Sequence, residues 1–380
     1  MDGQMITTPH SAGRRSRAPG SAAAGKGAAA GSALIIVLWV TGLLAMFVAG
    51  FAFDMQIEAR IASASRKKLK AEYLARGGYA LARMALMETL DGDVNNPDRT
   101  VYMGKGNDAQ LRNGVIALAQ GGGADFSREL DGGGISVSIQ PENASMNVNS
   151  LIFAGDRQKT YEAWKDLFDI ADVPFENRDA LVDCLVDWVD ENDLTQINGA
   201  ESEYYESLDP PYSAYNGPIA AVEDLMLVKG FAERMPETGI TIYDSVAGYL
   251  TTYADNEKIN INAAAEETLI AFFGMDRQIA EAIVSERRGA DGLEGTEDDK
   301  PFKDINDLLS RVPVLDPGIG AHLTFTAAGR FRVRIAGQVG NLTHSVVCVL
   351  QLADKKLKVL HWFEGEQEKT PVVPAAAEMP

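Results

Sequence analysis

Residues Ala28–Phe53 read AAAGSALIIVLWVTGLLAMFVAGFAF, a stretch without charge that is almost wholly apolar from Ala33 onward. A hydrocarbon layer about 30 Å thick needs roughly 20 apolar residues in helical form, so this stretch is long enough to cross one. Its flanks set a direction. Arg14, Arg15, Arg17 and Lys26 precede it, and Asp54 and Glu58 follow. Positive charge favours the cytoplasmic side, which puts the chain after Phe53 outside the cytoplasm. A cleaved signal peptide is the plain alternative, but its apolar core would run only about 7–15 residues and end at a small-residue site. Here the run passes unbroken into MQIEARIASASRKKLKAEYLARGGYALARMALMETL (55–90).

In that continuation Leu69, Tyr73, Leu74, Tyr79, Ala80, Leu81, Met84 and Met87 recur at three- and four-residue spacing, which predicts one helix from Leu34 to about Leu90. Gly77-Gly78 is a candidate bend, since each glycine weakens a helix by about 1 kcal/mol. The turn-rich DGDVNNPD (91–98) closes the helix. Residues 99–134 are glycine-rich and weakly patterned, and ISVSIQ (135–140) then alternates as a half-buried strand does.

Helical segments follow: TYEAWKDLFDIA (160–171), RDALVDCLVDWVD (178–190), AAVEDLMLVKGF (220–231) and YDSVAGYLTTYA (243–254). Two asparagine-rich turns, QPENASMNVNSL (140–151) and ININ (259–262), bracket much of this region. A helix pair spans AAAEETLIAFFGMDRQIAEAIVSERR (263–288), and DINDLLSRV (304–312) adds another. Three strand-like runs, FRVRIAGQV, HSVVCVLQLA and KVLHWFEG, close the chain, with turns at Asn341 and Asp354-Lys355-Lys356. The order helix, strand, helices, strands is that of an α+β unit with a large helical insertion.

The formal net charge of −19 removes the basic footprint that nucleic-acid binding needs. With 46% apolar content the acidity suits a folded exterior rather than disorder. Cys184 falls on a helix and Cys348 on a strand; they either pair in an oxidising compartment or stay as buried thiols. The four histidines are scattered, which argues against zinc.

The chemistry-bearing stretch is DWVDENDLTQINGAESEYY (187–205). On a helix Asp183, Asp187 and Asp190 share one face, while Leu181, Leu185 and Trp188 take another. Asp193, Glu201 and Glu203 follow within a short loop. Clustered carboxylates with asparagines suit calcium, which takes six to eight oxygen ligands in flexible geometry. A solvated acidic face is the competing reading. A second, weaker cation candidate is GADGLEGTEDDKPF (289–302), where Asp291, Glu297, Asp298 and Asp299 sit on a glycine-punctuated loop.

The basic leader meeting an apolar helix at Gly31-Ser32 resembles a type IV pilin-like precursor, in which a prepilin peptidase cuts after a glycine at the membrane edge. Most such precursors carry glutamate five residues after the cut, where this chain has Ile36. That departure, together with Asp187-Trp188, Asp190, Gly199-Ala200-Glu201, Tyr204-Tyr205, Asp209-Pro210-Pro211-Tyr212 and Lys229-Gly230 in order, resembles the minor pseudopilin K family of type II secretion systems over roughly Gly31 to Gly365. The resemblance implies a non-enzymatic subunit at the pseudopilus tip, in the inner membrane by a single pass with its C-terminal domain in the periplasm. Its implied partners are other minor pseudopilins and the prepilin peptidase, with secreted substrates or the secretin further out. It also implies calcium in the inserted domain, carried here by Asp190 and Glu201 first, then Asp187 and Asp193.

The expected fold is therefore type IV pilin-like α+β, a long N-terminal membrane helix packed on a small antiparallel sheet, with an all-helical insertion. Its expected parts are a basic leader (1–31), a membrane segment (32–53), the helix and first strands (54–150), the insertion (151–328), closing strands (329–366) and a disordered tail (367–380). The competing function is a bitopic periplasmic binding protein whose insertion recognises a peptide, glycan or nucleic acid. For nucleic acid the candidate module is the helix-hairpin-helix-like segment around Gly274-Met275-Asp276. There Asp276 replaces the second glycine that would offer backbone N–H groups to phosphate, so no nucleic acid is expected.

Overall fold

The computed structural model describes residues 27–90, 109–130, 132–149, 157–254 and 258–365. Most of the expected leader, and the tail from residue 366, lie outside them.

Helix α1 runs from Gly27 to Glu88. Among the described residues it is the one helix long and apolar enough to cross a membrane, and Leu34 to Phe53 are exposed along it. From Ala71 onward one stripe is buried, through Leu74, Ala75, Ala82, Ala85 and Leu86. The stripe is mostly alanine because the helix lies close on a sheet. A β-carbon on Gly78 would stand 2.5 Å from Cγ2 of Ile335 and 2.9 Å from Cγ2 of Ile135. The paired glycines therefore mark close approach, and the helix continues through them where a bend was expected.

After α1 come α2 (Ala109–Ala119), β1 (Ala124–Leu130) and β2 (Gly133–Pro141). Neither α2 nor β1 stands out in the glycine-rich sequence. The inserted region then begins at Glu142 rather than Leu151, because β2 ends at Pro141 and its sheet neighbour resumes only at Arg330. Its first strand, β3 (Met146–Asn147), pairs in parallel with β4 (Leu250–Thr251), and β5 (Ile259–Asn260) pairs with β6 (Leu323–Thr324). Its helices are α3 (Arg157–Ile170), α4 (Phe175–Val189), α5 (Ser202–Glu206), α6 (Ile242–Val246), α7 (Glu266–Phe273), α8 (Arg277–Arg288) and α9 (Ile305–Arg311). Two expected helices shorten: 222–227 is a 3₁₀ segment, and after α6 the chain passes through a 3₁₀ turn into β4. Gly274 adopts φ +61° at the end of α7, which lets α8 fold back as a hairpin.

Strands β7 (Arg330–Val339), β8 (Leu342–Ala353) and β9 (Lys356–Gly365) complete an antiparallel sheet of order β1-β2-β7-β8-β9. The β8–β9 turn places Asp354 and Lys355 at φ +50° and +60°, the left-handed pair that a two-residue hairpin needs. Phe126, Val137, Ile335, Val346 and Cys348 belong to one core with α1 and α2. The insertion has its own core around Trp164, Phe168, Leu185, Tyr205 and Phe231. Cys184 lies in the second core and Cys348 in the first, both as free thiols, so they do not pair.

Asparagines fasten the insertion at its root. Asn262 accepts from the Phe302 N–H at 2.8 Å and donates to the carbonyls of Phe302 and Phe325 at 2.9 and 3.0 Å. Asn143 donates to the Thr326 carbonyl at 3.0 Å. Beside them the buried Glu142 receives both Nε and Nη2 of Arg332 at 3.0 Å and a short hydrogen bond from the Thr251 hydroxyl. The asparagine-rich turns are thus junctions where carbonyls without strand partners find donors.

A candidate cation site in the inserted domain

Helix α4 buries Leu181, Leu185 and Trp188 and, unusually, also Asp183 and Asp187. Buried carboxylates must be hydrogen-bonded or paired. Asp183 accepts from the Tyr161 hydroxyl at 2.6 Å and from the N–H and Nδ2 of Asn198 at 3.2 and 3.1 Å. Asp187 accepts the Gln196 N–H at 3.1 Å on both oxygens. These contacts draw the loop after α4 back across the helix. Gly199 completes the turn, because a β-carbon there would collide with Oδ2 of Asp187.

At the end of α4, Asp190 leaves helical geometry at φ −75°, ψ +158° and turns its carboxylate into the same space. Its Oδ1 accepts from the N–H and Nδ2 of Asn192 at 3.1 and 2.7 Å. Glu201 arrives from the start of α5. One oxygen each of Asp187, Asp190 and Glu201 lie within 4.8 Å of one another.

Glu201 is the informative member. It is 4% exposed, and neither carboxylate oxygen has a hydrogen-bond partner. Burial, with Asp187, Asp190 and Asp193 nearby, pushes its carboxyl up to about 7. Burial likewise raises Asp187, against the lowering effect of the Gln196 and Ala200 N–H groups. An ionised carboxylate buried without a donor is costly, and here it points at two others. A cation between them would relieve both the desolvation and the repulsion. The donors are oxygens alone, which suits a hard ion such as calcium and not a thiolate- or imidazole-seeking metal.

Of the expected ligands, the structure gathers Asp187, Asp190 and Glu201. Asp193 stays outside and acts on Glu201 only through its charge. The second acidic loop does not converge. Asp298 accepts the N–H groups of Ala290 and Asp291 at 2.6 and 3.1 Å, and Asp299 accepts those of Gly295 and Thr296 at 2.7 and 3.3 Å. Asp291 caps the Leu293 N–H at 2.8 Å, and Glu297 pairs with Arg112 at 2.9 Å. These carboxylates hold their own loop, where Gly289, Gly292 and Gly295 take positive φ. Gly31 and Ser32 fall in the first turns of α1.

The tyrosines behind the acidic loop are packing. Trp188 meets Tyr205 edge-on at 5.0 Å, and Tyr205 stacks on Tyr212 at 5.3 Å. The orienting residues Tyr161, Gln196 and Asn198 carry no site signal of their own in the sequence, and Gly199 stands out there only as part of the family motif. Only the Asn-Gly-Ala-Glu spacing after a carboxylate-bearing helix hints at them.

Residues 144–238, which contain this site, match the protein-family model described as type II secretion system protein K. Along the chain there is 24% identity to the type II secretion system protein K of Aeromonas hydrophila, over 89% of this chain and 98% of that one. The Pseudomonas aeruginosa protein of the same name is 25% identical over 87% and 91%. The fold is similar to the GspK-GspI-GspJ complex structure from enterotoxigenic Escherichia coli, with TM-score 0.54, 16% identity, 82% of this chain and 100% of that chain covered.

Proposed function

We infer that this chain belongs to the type II secretion system protein K family and is a minor pseudopilin, a structural subunit of the fibre that supports protein export. The observation that carries this reading is the way one domain interrupts another. A helical region bearing an oxygen-only acidic cluster enters between two adjacent strands of a sheet that packs on the continuation of a long apolar helix. The similarity to the named relatives runs through both parts.

Its work is assembly rather than catalysis. The apolar helix anchors it in the inner membrane by one pass, with the sheet and insertion in the periplasm. The prepilin peptidase removes the leader at Gly31. Ile36 stands where a repeat subunit would carry a glutamate to pair with the N-terminal amine of a neighbour inside the membrane, where unpaired charge is costly. A subunit lacking that glutamate suits the tip, above other minor pseudopilins. In the insertion, Asp187, Asp190 and Glu201 hold a calcium ion whose charge joins α4, its following loop and α5.

The test is removal of the chain from its own cells, with secreted protein measured in the medium and the other minor pseudopilins recovered on a tagged copy. Lost export restored by the wild-type chain, with co-recovery of those subunits, supports the reading. Unchanged export and no co-recovery overturn it.

A further inference from the structure

The five-stranded sheet has two edges, β1 and β9, and they are finished differently. At β1 the outward Ser127 N–H is already taken, by Gln110 of α2 at 3.1 Å. At β9 the register tells which groups face outward. Val339 and Leu342 close a two-residue turn and so form a hydrogen-bonded pair, and every second residue of β8 from Leu342 onward bonds to β7. The residues between them, Ser345, Val347 and Val349, bond instead to Gly365, Phe363 and His361 of β9. Trp362 and Glu364 therefore turn their backbone N–H and C=O groups away from the sheet. Among the described residues nothing meets those groups.

Proteins ordinarily blunt an open edge with lysines, bulges or a cover, because a free row of donors and acceptors recruits another strand. Strand β9 is blunted over its first half only. Lys356 and Lys358 stand exposed there, and a bulge interrupts the pairing beside Val349 and Leu350. From His361 to Gly365 the register is regular and the sequence holds no lysine or arginine. Instead Trp362 and Phe363 are 40% and 54% exposed. They lie on opposite faces, as successive strand residues do. Trp362 meets Tyr79 of α1 edge-on at 5.0 Å, and Phe363 stands opposite Val347. Unpaired backbone groups flanked by an exposed ring on each face have the chemistry of a strand-addition site.

We propose that His361–Gly365 is an open docking edge, extended by a short apolar strand of a neighbouring minor pseudopilin that exchanges backbone hydrogen bonds with Trp362 and Glu364. The proposal rests on the family reading above. Three features select this occupant. An extended backbone is what offers donors and acceptors at the spacing of Trp362 and Glu364. The bulge and the lysines beyond it limit the regular edge to His361–Gly365, so the segment is short, and the two rings favour apolar side chains on both of its faces. The Trp362–Tyr79 contact sets the edge beside α1, so the chain that supplies the strand stands alongside this helix, as a neighbour in a fibre does.

The test uses the tagged full-length chain, alone in detergent and in the complex recovered with other minor pseudopilins. Hydrogen exchange at the Trp362 and Glu364 amides should be fast in the chain alone and about tenfold or more slower in the complex, while the Ser127 amide, bonded in both, stays unchanged. Glu364→Pro removes one outward N–H without touching the ladder to β8, and Glu364→Ala removes the same side chain but keeps the N–H. Co-recovery of the neighbour should fall about tenfold for the proline variant against the alanine one, the scale of a lost donor that leaves its acceptor unpaired, at equal melting temperature. Phe363→Lys, which supplies the missing edge charge, repeats the measurement should proline disturb β9. Equal co-recovery by all three variants and the wild-type chain overturns the proposal and leaves the family reading standing. No co-recovery by the wild-type chain overturns that reading and the proposal with it. Slow exchange at both amides in the chain alone also overturns the proposal: protection lost on removing residues 366–380 assigns the edge to the chain's own end, and protection lost on dilution assigns it to a second copy.

Discussion

Oδ2 of Asp187 stands where a β-carbon on Gly199 would have to be. The carboxylate and the missing side chain are two halves of one contact, which brings the loop after α4 back onto the helix and Glu201 to the cluster. Gly199→Ala should therefore lower the melting temperature by the equivalent of about 1–3 kcal/mol, the usual cost of forcing extra volume into a packed site. Thermal unfolding of the full-length chain in detergent measures it. A neutral substitution would mean that the loop is held by something other than this contact.

Calcium should stabilise the protein through the same cluster. An ion that binds only the folded state contributes RT ln(1 + [L]/Kd), about 2.7 kcal/mol at a hundredfold excess over Kd. Melting in millimolar calcium against chelator should show a rise that Glu201→Ala largely removes. Magnesium should replace calcium poorly, because it demands smaller octahedral geometry. A melting temperature indifferent to chelator would reduce the three carboxylates to a fold feature.

Without metal, the stability should depend on pH through Glu201. Its carboxyl sits at about 7 in the fold against an ordinary 4.5, so the folded state holds the proton more tightly than the unfolded one. Its stabilising contribution is full below about 4.5 and is lost as pH rises through about 7. Denaturant titrations in chelator from pH 5 to 8 should show this decline, and Glu201→Gln should flatten it. A stability that climbs across the same range in the wild-type chain would contradict the assignment.

The Glu142–Arg332 pair should behave as a buried ion pair does. Removing one partner, as Arg332→Ala or Glu142→Ala, leaves an uncompensated charge and should cost about 3–5 kcal/mol. Replacing both with apolar residues of similar size should cost far less. The two single variants and the double, followed by chemical denaturation, separate coupling from simple loss of volume.

Processing offers the last check. Mature protein should begin at Ser32, and Gly31→Val should leave the precursor uncut in membranes. N-terminal sequencing decides between this site and any other.

The helix and hairpins were legible because their signals are local. The 3.6-residue recurrence of Leu69 to Met87 lies in α1, the alternation in ISVSIQ marks β2, and Asp354-Lys355 forms the turn it suggests. Strand β1 is not legible in the sequence because ADFSREL alternates weakly and sits at a sheet edge. There α2 lends it a partner, Gln110 accepting the Ser127 N–H at 3.1 Å. The acidic face was legible as charge, but its division was not. Asp183 and Asp187 are four apart and look equivalent, yet tertiary donors consume Asp183 and leave Asp187 turned to Glu201. Asp298 and Asp299 resemble ligands in sequence, and only the folded loop reveals that its own N–H groups use them.

Strands β2 and β7 are direct neighbours, with Pro141 opposite Phe331, although the whole insertion separates them in sequence. If that segment were an unstructured chain, pairing these strands would require closing a very long loop, whose entropic cost rises with (3/2)RT ln n. A folded insertion whose ends are already fastened, as Asn143 is to Thr326, shortens the effective loop to a few residues. The central pairing of the sheet then becomes an almost local event. The topology favours one order of folding: an inserted domain that forms early brings its flanking strands together, so damage to its core should slow completion of the sheet.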